Sequence, residues 1–421
     1  MRIEKLFARE ILDSRGVPTV EATVVGSDGV SATASVPSGT STGAHEAFEL
    51  RDGDAKRYRG RGVLRACENI EGPLASAVRG LDPADFKSVE SAIRSTDGTK
   101  HKTRMGANAT LGVSLACARL GALSRGEPLW KYLRRASGIR LNAFNLPLPF
   151  MNIFNGGRHA DTNLDFQEFM IVPLKGKKFS DRVEVGVEVF WHLSEVLHEF
   201  GYDTDVGLEG GYAPDLSSSI QALEMLVLAV RRAKLTAGKD IAFAIDVGAS
   251  ELYDKRRGGF VFKLDHAFIP SDHMLSLFEH WVDRFPIMAI EDPFGEDDIP
   301  MWSKGMRALG KKDLLLVGDD LFVTNPERFK MLAPKKVANA AIVKPNQIGT
   351  LSETFAFVAA ARAQRMKLIA SHRSGETCDD WISDLAVAIG AHAIKGGSVS
   401  RGERVAKWNR LMAIEEEIKK K

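Results

Sequence analysis

Eight short apolar runs constrain the fold of this chain more than any other feature of its sequence. The first two are LPLPFMNIFN and FQEFMIVPL, and the others are IAFAID, IMAIE, LLLVGD, AAIVK, KLIASH and AHAIK. Each of the last six stops at a charged or titratable residue, namely Asp246, Glu291, Asp319, Lys344, His372 and Lys395. From Glu291 onward these residues are roughly 25 apart, which leaves room for one strand, one helix and two loops. The runs therefore predict βα repeats.

The order and composition of the runs favour a closed barrel. Two helical patterns separate the second run from the third, so the predicted order is ββαα(βα)6. The runs lack polar alternation, as expected of strands that are buried on both faces. Strands of this kind, wrapped by helices, form an eight-stranded β/α barrel, which carries its chemistry at the C-terminal ends of the strands. The sequence predicts an α/β fold with functional residues where the runs end.

The first third of the chain has a different pattern. TVEATVVG and VSATASV alternate β-branched and small residues around the turn SDG, which is typical of a β-hairpin. Apolar residues at helical spacing follow between Ala107 and Gly126. A chain of 421 residues exceeds the roughly 250 to 300 at which one core stops growing. We therefore expect an N-terminal α+β capping domain at residues 1–139 and a catalytic barrel at residues 140–421.

Composition and charge disfavour several classes of protein. The formal net charge is only +2, whereas a nucleic-acid-binding protein needs a basic excess on one face. Three cysteines are odd in number and lack the close pairing of a zinc site, so a reducing compartment fits best. Charged residues interrupt the N-terminal region that a signal peptide keeps apolar, and the apolar runs are too short to span a membrane. We expect a cytoplasmic protein with no membrane span and no nucleic-acid partner.

Acids at the ends of three successive runs predict a cation site. Any one of them could instead cap the following helix, which is an ordinary role for an acid. Adjacent strands lie only about 4.7 to 4.9 Å apart, however, so Asp246, Glu291 and Asp319 would converge and repel one another without a cation. Carboxylate oxygens with room left for water and substrate suit Mg²⁺. We expect a magnesium site at this end of the barrel.

Two lysines end the runs that follow. Lys344 and Lys395 terminate buried apolar segments, whereas an ordinary lysine is solvated. Burial, a nearby metal and mutual repulsion would lower their pKa values and make a neutral amine available as a base. Glu209, in the loop VGLEGGYAP, would act as an acid if its pKa were raised. A loop glutamate is otherwise usually solvated.

Two further features are less specific. His159 in FNGGRHAD and His372 in SHRSGET could line a site, or could be ordinary hydrogen-bonded histidines. The glycine-rich loop VPSGTSTGAHE could close over a site, but a plain hairpin turn fits its pattern better.

The motifs of the chain together resemble one enzyme family, the enolases. In order they are ILDSRGVPTVE, VPSGTSTGAHEA, MNIFNGGRHA, DFQEFMIVP, IEDPFGEDD, GDDLFVTNPERF, KPNQIGTLSET and SHRSGET. The resemblance extends from Ala8 to the IEEE run near the C-terminus, with family-like spacing. It implies a Mg²⁺-dependent lyase of glycolysis and gluconeogenesis that dehydrates 2-phosphoglycerate to phosphoenolpyruvate. It also implies a homodimer or a higher homo-oligomer.

The resemblance implies a set of metal ligands. Asp246, Glu291 and Asp319 would hold the tighter of two Mg²⁺ ions. Ser38 would help to bind the second ion, which arrives with the substrate.

The resemblance also implies roles in catalysis and substrate binding. Lys344 would take the proton from carbon 2 of the substrate, while Lys395 and the metals neutralise its carboxylate. Glu209, assisted by Glu168, would protonate the departing hydroxide at carbon 3. The other substrate contacts would be His159, Gln167, His372, Arg373 and Ser374, of which the last two bind phosphate.

Five positions depart from the family pattern, namely Val17, Leu208, Phe322, Gly396 and Gly402. Leu208 replaces an aspartate beside Glu209, and its net effect on the pKa of that acid stays open because lost repulsion and added desolvation oppose each other. Gly396 could loosen the strand end at Lys395. One alternative is therefore a paralogue that acts on a related phosphorylated or phosphonate acid. Another is an added surface-binding role of the lysine-rich end IEEEIKKK, although such a run is usually a solvated tail.

Overall fold

A three-stranded antiparallel sheet begins the chain. The computed structural model describes residues 1–40, 43–141, 143–254, 256–310 and 314–420. The strands of the sheet are β1 (Ile3–Leu12), β2 (Pro18–Gly26) and β3 (Ser31–Ser35). The predicted hairpin is the pair β2 and β3, and β1 is an additional strand that the sequence analysis did not identify.

Helices cover this sheet. They are α1 (Leu64–Asn69), α2 (Ala75–Val78), α3 (Phe86–Asp97), α4 (Ala107–Ser124) and α5 (Leu129–Ser137). A π-helical turn joins α1 to α2 because Pro73 within it has no N–H to continue the α-helical ladder. Nearly every residue of α4 is buried, since this helix contacts β2 and β3 and also the turn Pro345–Gln347 of the barrel. The sheet and its helices confirm the predicted α+β character.

Eight strands close into a barrel, as predicted. The first three are β4 (Leu148–Asn155), β5 (Glu168–Pro173) and β6 (Ile241–Asp246). A separate small sheet of β7 (Tyr253–Asp254), β8 (Gly259–Phe262) and β9 (Ala267–Pro270) follows β6. This sheet explains why Asp246 and Glu291 are farther apart in sequence than the later strand ends. The barrel is completed by β10 (Ile287–Glu291), β11 (Leu315–Gly318), β12 (Ala340–Val343), β13 (Lys367–Ser371) and β14 (Ala393–Lys395).

Helices alternate with the barrel strands in the predicted ββαα(βα)6 order. They are α6 (Phe179–Glu199), α7 (Ser219–Arg232), α8 (Ala249–Leu252), α9 (Met274–Arg284), α10 (Ile299–Ala308), α11 (Pro326–Leu332), α12 (Leu351–Ala363), α13 (Trp381–Ala388) and α14 (Gly402–Lys419). The short α8 belongs to the excursion that contains the small sheet.

One barrel strand runs against the others. β5 is antiparallel to β4 and to β6, whereas the remaining neighbours pair in parallel. Glu168 is the first residue of β5, so it begins its apolar run, whereas Asp246 and Glu291 end theirs. Because the strand is reversed, Glu168 still lies at the same end of the barrel and pairs in register with Asp246.

Side chains fill the barrel interior. Along β6, Ala242 and Ala244 belong to the inner cluster, whereas Ile241, Phe243 and Ile245 belong to the larger core that includes the helices. On this strand the small residues face the axis, while large residues from other strands, such as Phe150, Met170 and Ile369, fill the rest of the interior. Chemistry is therefore confined to the mouths of the barrel.

Candidate active site

The charged residues at the strand ends meet at one mouth of the barrel. The register pairs Asp246 with Glu291 and with Glu168. It also pairs Lys395 of β14 with Ser371 of β13. All four ionisable side chains are buried. The structure thus brings together the acids of the early strands and the lysine of the last strand.

The acids at the strand ends do not cap the helices that follow them. The N-cap side chains of α10, α11 and α12 belong to Asp298, Asn325 and Thr350, each of which accepts a hydrogen bond from a first-turn N–H group. Helix capping therefore does not explain Glu291 or Asp319, and the functional interpretation is favoured.

Lys395 is the centre of a buried cluster of carboxylates. Its Nζ lies 2.7 Å from Glu291 Oε2, 3.0 Å from Asp246 Oδ2 and 3.3 Å from Glu168 Oε2. Burial alone would lower the pKa of Lys395, but these acids outweigh it and hold the pKa well above its usual value. The expectation of a lowered pKa is wrong for this lysine in the observed arrangement.

Lys344 has one close acidic partner. Its Nζ contacts Asp319 Oδ2, and the other oxygen of Asp319 accepts from Gln347 Nε2 at 2.9 Å. Burial would lower the pKa of Lys344, but the Asp319 carboxylate reverses the direction and raises it. The predicted base is therefore a charged ammonium in this arrangement, for the same reason as Lys395.

The predicted metal ligands can be tested against the geometry. Glu291 Oε1 is buried and has no hydrogen-bond partner among the described residues. Burial and the charge of Asp246 raise the pKa of Glu291 to about 8. A carboxylate oxygen left without a proton donor, beside two further acids, fits a hard cation such as Mg²⁺. The donor set of Asp246, Glu291 and Asp319 is therefore suited to a metal.

The tightest acidic groups, however, differ from the predicted triad. Within the described ranges, ligand atoms lie within 4.8 Å of one another in two groups, His159–Glu168–Glu209 and Asp292–Asp319–Asp320. Asp246 and Glu291 belong to neither group, and their carboxylates contact the ammonium group of Lys395. Only Asp319 is shared between the predicted triad and these groups.

Asp292 is a functional candidate to which the sequence analysis gave no role. Its two carboxylate oxygens accept from the backbone N–H groups of Asp319 and Asp320, at 3.0 and 2.8 Å. Its φ of 41° lies in the left-handed region, which is uncommon for an aspartate and costs conformational energy. Asp292 thus fixes the end of β11, and the acidic pair in IEDPF was the available sequence signal.

A second acidic pair lies across the mouth. His159 Nδ1 is 3.4 Å from Glu209 Oε1 and 3.6 Å from Glu168 Oε1. Burial raises the pKa of Glu168 well above its usual value, and the charge of Glu209 adds to this shift. Burial also acts on Glu209, but His159 and His372 outweigh it and lower its pKa. The direction of the Glu209 pKa, which the sequence left open, is therefore downward, and the raised pKa is that of Glu168.

The predicted phosphate-binding residues lie where the two parts of the chain meet. Arg373 forms a fork with Glu46, at 3.1 and 3.2 Å, and also donates to Asn346 Oδ1. Ser374 Oγ contacts Thr40 Oγ1 at 2.7 Å. Glu46 was missed because its partner is distant in sequence. A phosphate group would have to replace this carboxylate on Arg373.

Ser38 and Gln167 occupy different environments. Ser38 Oγ donates to Glu49 Oε2 and accepts from Arg51, and its backbone pairs with Gly375, so its hydroxyl is engaged away from the strand-end acids. The loop that contains Ser38 is therefore held by these hydrogen bonds and is not a plain hairpin turn. Ser41 and Thr42 of this loop lie outside the described residues. Gln167 lines a cavity of about 640 Å³ beside the strand that begins at Glu168.

The fold and the site together define a class of protein. Buried acids and two lysines at the mouth of a β/α barrel belong to an enzyme that performs acid–base chemistry on a small substrate. A search for membrane-spanning helices in the described part of the chain found none that is long and apolar enough.

Comparison with known proteins identifies the family. The family model for the enolase N-terminal domain matches residues 3–133, and that for the enolase C-terminal TIM barrel domain matches residues 143–421. The enolase of Anaplasma marginale (strain St. Maries) is 47% identical over 419 residues, which covers 100% of this chain and 95% of that protein. The chain belongs to the enolase family. It is a lyase that dehydrates 2-phosphoglycerate to phosphoenolpyruvate, a step of glycolysis, and its family uses a metal cofactor.

Proposed function

We propose that the mouth of the barrel carries out this dehydration with Mg²⁺ held by Asp246, Glu291 and Asp319. The observation that carries the proposal is the buried, unpartnered oxygen of Glu291 among neighbouring acids. All the donors are oxygens, which is the set that Mg²⁺ prefers. When bound, the cation supplies positive charge to the substrate carboxylate as negative charge develops there. A second Mg²⁺ would bind with the substrate and involve Ser38, once the contacts of Ser38 with Glu49 and Arg51 rearrange.

The base of the reaction is Lys344. Asp319 is its acidic contact, and this contact keeps its pKa raised. A cation held by Asp319 would remove that stabilisation, while burial and the charges of Arg373 and Lys395 would still lower the pKa. Lys344 would then accept the proton from carbon 2 as a neutral amine. Lys395 stays charged and stabilises the carboxylate that gains electron density.

The acid of the reaction is the pair of Glu168 and Glu209. The raised pKa of Glu168 and the lowered pKa of Glu209 favour a proton on Glu168, and His159 contacts both carboxyl groups. An anionic substrate beside Glu209 adds negative charge and raises its pKa, so the proton shifts toward Glu209 and then to the departing hydroxide. Gln167 and His372 line the substrate, and Arg373 with Ser374 holds its phosphate.

The test is the Mg²⁺-dependent formation of phosphoenolpyruvate from 2-phosphoglycerate. We expect full turnover with Mg²⁺ and none after chelation. We expect Asp319→Ala to lose Mg²⁺ affinity and turnover together, because it removes a proposed ligand. Trace turnover in a protein that binds Mg²⁺ normally would favour the paralogue that acts on a related phosphorylated or phosphonate acid.

Three further assignments belong to the same proposal. We propose a homodimer or higher homo-oligomer, a cytoplasmic location, and a division of the chain near residue 139. The surface-binding alternative has little to support it, because Lys419 forms an ordinary ion pair with Glu415 one helical turn away. Lys421 lies outside the described residues.

A further inference from the structure

Arg404 is a fully buried arginine near the start of α14 that joins several parts of the site. Its Nη1 donates to His372 Nδ1 at 2.7 Å and to the Arg373 carbonyl at 2.6 Å. Its Nη2 donates to the carbonyls of Leu208 at 3.1 Å and Ser374 at 2.6 Å. One guanidinium group therefore links the loop after β13 to the loop that carries Glu209.

The contact with Arg404 determines which nitrogen of His372 carries the proton. A guanidinium group has N–H donors and no acceptor, so His372 Nδ1 must accept. The ring proton then lies on Nε2, which is 3.3 Å from Glu209 Oε2. Burial, with the charge of Arg404 adding to it, lowers the pKa of His372 to about 4 against the opposing effect of Glu209. The ring is therefore neutral near pH 7.

The two oxygens of Glu209 consequently differ. Oε2 accepts from Asn152 Nδ2 at 2.9 Å and faces the N–H of His372. An oxygen that receives two N–H donors is a poor place for a proton. Oε1 faces His159 Nδ1 at 3.4 Å, on the side of Glu168. A proton on Glu209 is thereby directed to Oε1.

We propose that Arg404 is a positioning residue for the acid step. It holds His372 as the Nε2–H tautomer, and this tautomer orients Glu209 through Oε2 and leaves the transferable proton on Oε1. With the opposite tautomer, a lone pair of His372 would face Oε2 and retain the proton there. The inference rests on the proposed role of Glu209 as the proton donor to the departing hydroxide.

The first test is a ¹⁵N NMR measurement on the wild-type enzyme with labelled histidine, in which His372→Gln identifies the signal of His372. We expect the proton on Nε2 and none on Nδ1 at pH 7. A proton on Nδ1 would overturn the inference. The NMR measurement requires no turnover, so it can reject the inference independently of the proposed function. The proposed function is rejected if the wild-type enzyme forms no phosphoenolpyruvate.

The second test uses Arg404→Lys, which keeps the charge and loses the fork. Formation of phosphoenolpyruvate should fall about 100-fold or more, as expected for a misplaced general acid. Exchange of the carbon 2 hydrogen with D₂O depends on Lys344 and should keep its wild-type rate. The KM should change little, and the pH profile of kcat should shift in the limb that belongs to the acid.

The matched control is Arg410→Lys in the same helix. Arg410 forms a fork with Asp384 and contacts Glu417, so this change also removes arginine contacts, which here are partly buried. Both rates should stay at wild-type values. If Arg404→Lys slowed exchange and dehydration equally, or slowed neither, Arg404 would not be a positioning residue for the acid. If Arg404→Lys does not fold, the NMR measurement on the wild-type enzyme still tests the inference.

Discussion

Lys344, which is partly buried, and Lys395, which is buried, are ammonium groups whose counter-ions are the proposed metal ligands. Asp319 holds the first, and Asp246 with Glu291 holds the second. Single ionised groups are costly to bury, so the two lysines and these acids stabilise one another. At the scale of single residues, the pKa of the proposed base therefore depends on which partner the Asp319 carboxylate has.

Replacing the proposed base separates binding from chemistry. We expect Lys344→Ala to bind 2-phosphoglycerate with an affinity near that of the wild type and to lose about 10⁴-fold in kcat, because a base acts in the transition state. Steady-state kinetics and calorimetric titration measure the two effects. Lys335→Ala, which changes an exposed lysine, is the control. A Lys344→Ala enzyme with near-normal kcat would remove this residue from the role.

Metal binding should depend on pH through Glu291. Without a cation, burial and the charge of Asp246 raise its pKa to about 8, so protons compete with a cation for this carboxyl group near neutral pH. Mg²⁺ affinity should therefore rise about tenfold per pH unit from pH 6 and level off above pH 8. Because the raised pKa favours the protonated form in the folded state, stability without Mg²⁺ should fall as pH rises toward 8. Glu291→Gln should flatten the titration; an equally steep pH dependence in that variant would assign it to another group.

At the scale of elements, the side chain of Asp292 joins the ends of β10 and β11 by hydrogen bonds. Both oxygens of Asp292 accept backbone N–H groups, although burial and the neighbouring Asp320 raise its pKa well above the usual value. A cation among these acids would offset that repulsion. The two hydrogen bonds thus hold Asp292 at its left-handed φ, beside the other acidic side chains.

Asp292→Asn should weaken the hydrogen bonds to the backbone of Asp319 and Asp320 without removing a proposed metal ligand. The amide can accept only one of the two backbone N–H groups, and the unpaired donor costs about 1–3 kcal/mol of stability. Mg²⁺ affinity should fall about 10- to 100-fold, as for other groups that orient metal ligands. Asp298→Asn keeps its capping ability and serves as the control. Unchanged affinity in Asp292→Asn would mean that Asp319 is held without it.

The end of β14 contains a departure from the family pattern that the packing explains. A Cβ on Gly396 would lie 2.8 Å from the indole of Trp408, so the glycine makes room for that ring. Gly396→Ala should therefore destabilise the protein by about 1–3 kcal/mol. Gly402→Ala is the matched control, because a Cβ at Gly402 would meet no atom of the described residues within 4 Å, and this change should be neutral or slightly stabilising. Denaturant unfolding of both variants tests this, and equal stability of the two would contradict it.

Local pattern made the element order and the strand-end residues predictable. IMAIE, LLLVG and AAIV are continuous apolar runs, and each became a buried barrel strand. The reversed direction of β5 was not predictable, because an apolar run looks the same in either direction. The pKa direction of Lys344 was missed and that of Glu209 was left open, since both depend on contacts, with Asp319 and His159, that only the fold creates.

At the scale of the whole molecule, the N-terminal part contributes directly to the site. Ser38 pairs with Gly375 through the backbone, and Glu46 forks with Arg373. These partners are more than three hundred residues apart in sequence, so no local pattern indicates them. The loop after β13 is thereby clamped between the N-terminal sheet region and α14, whose Arg404 holds its other side.

A crystal structure with Mg²⁺ and 2-phosphoglycerate would show whether the strand-end acids hold the metal. We expect one Mg²⁺ ligated by Asp246, Glu291 and Asp319, with Lys344 released from Asp319 and placed against carbon 2 of the substrate. A structure in which Mg²⁺ binds elsewhere, while these three carboxylates stay paired with Lys344 and Lys395, would contradict it.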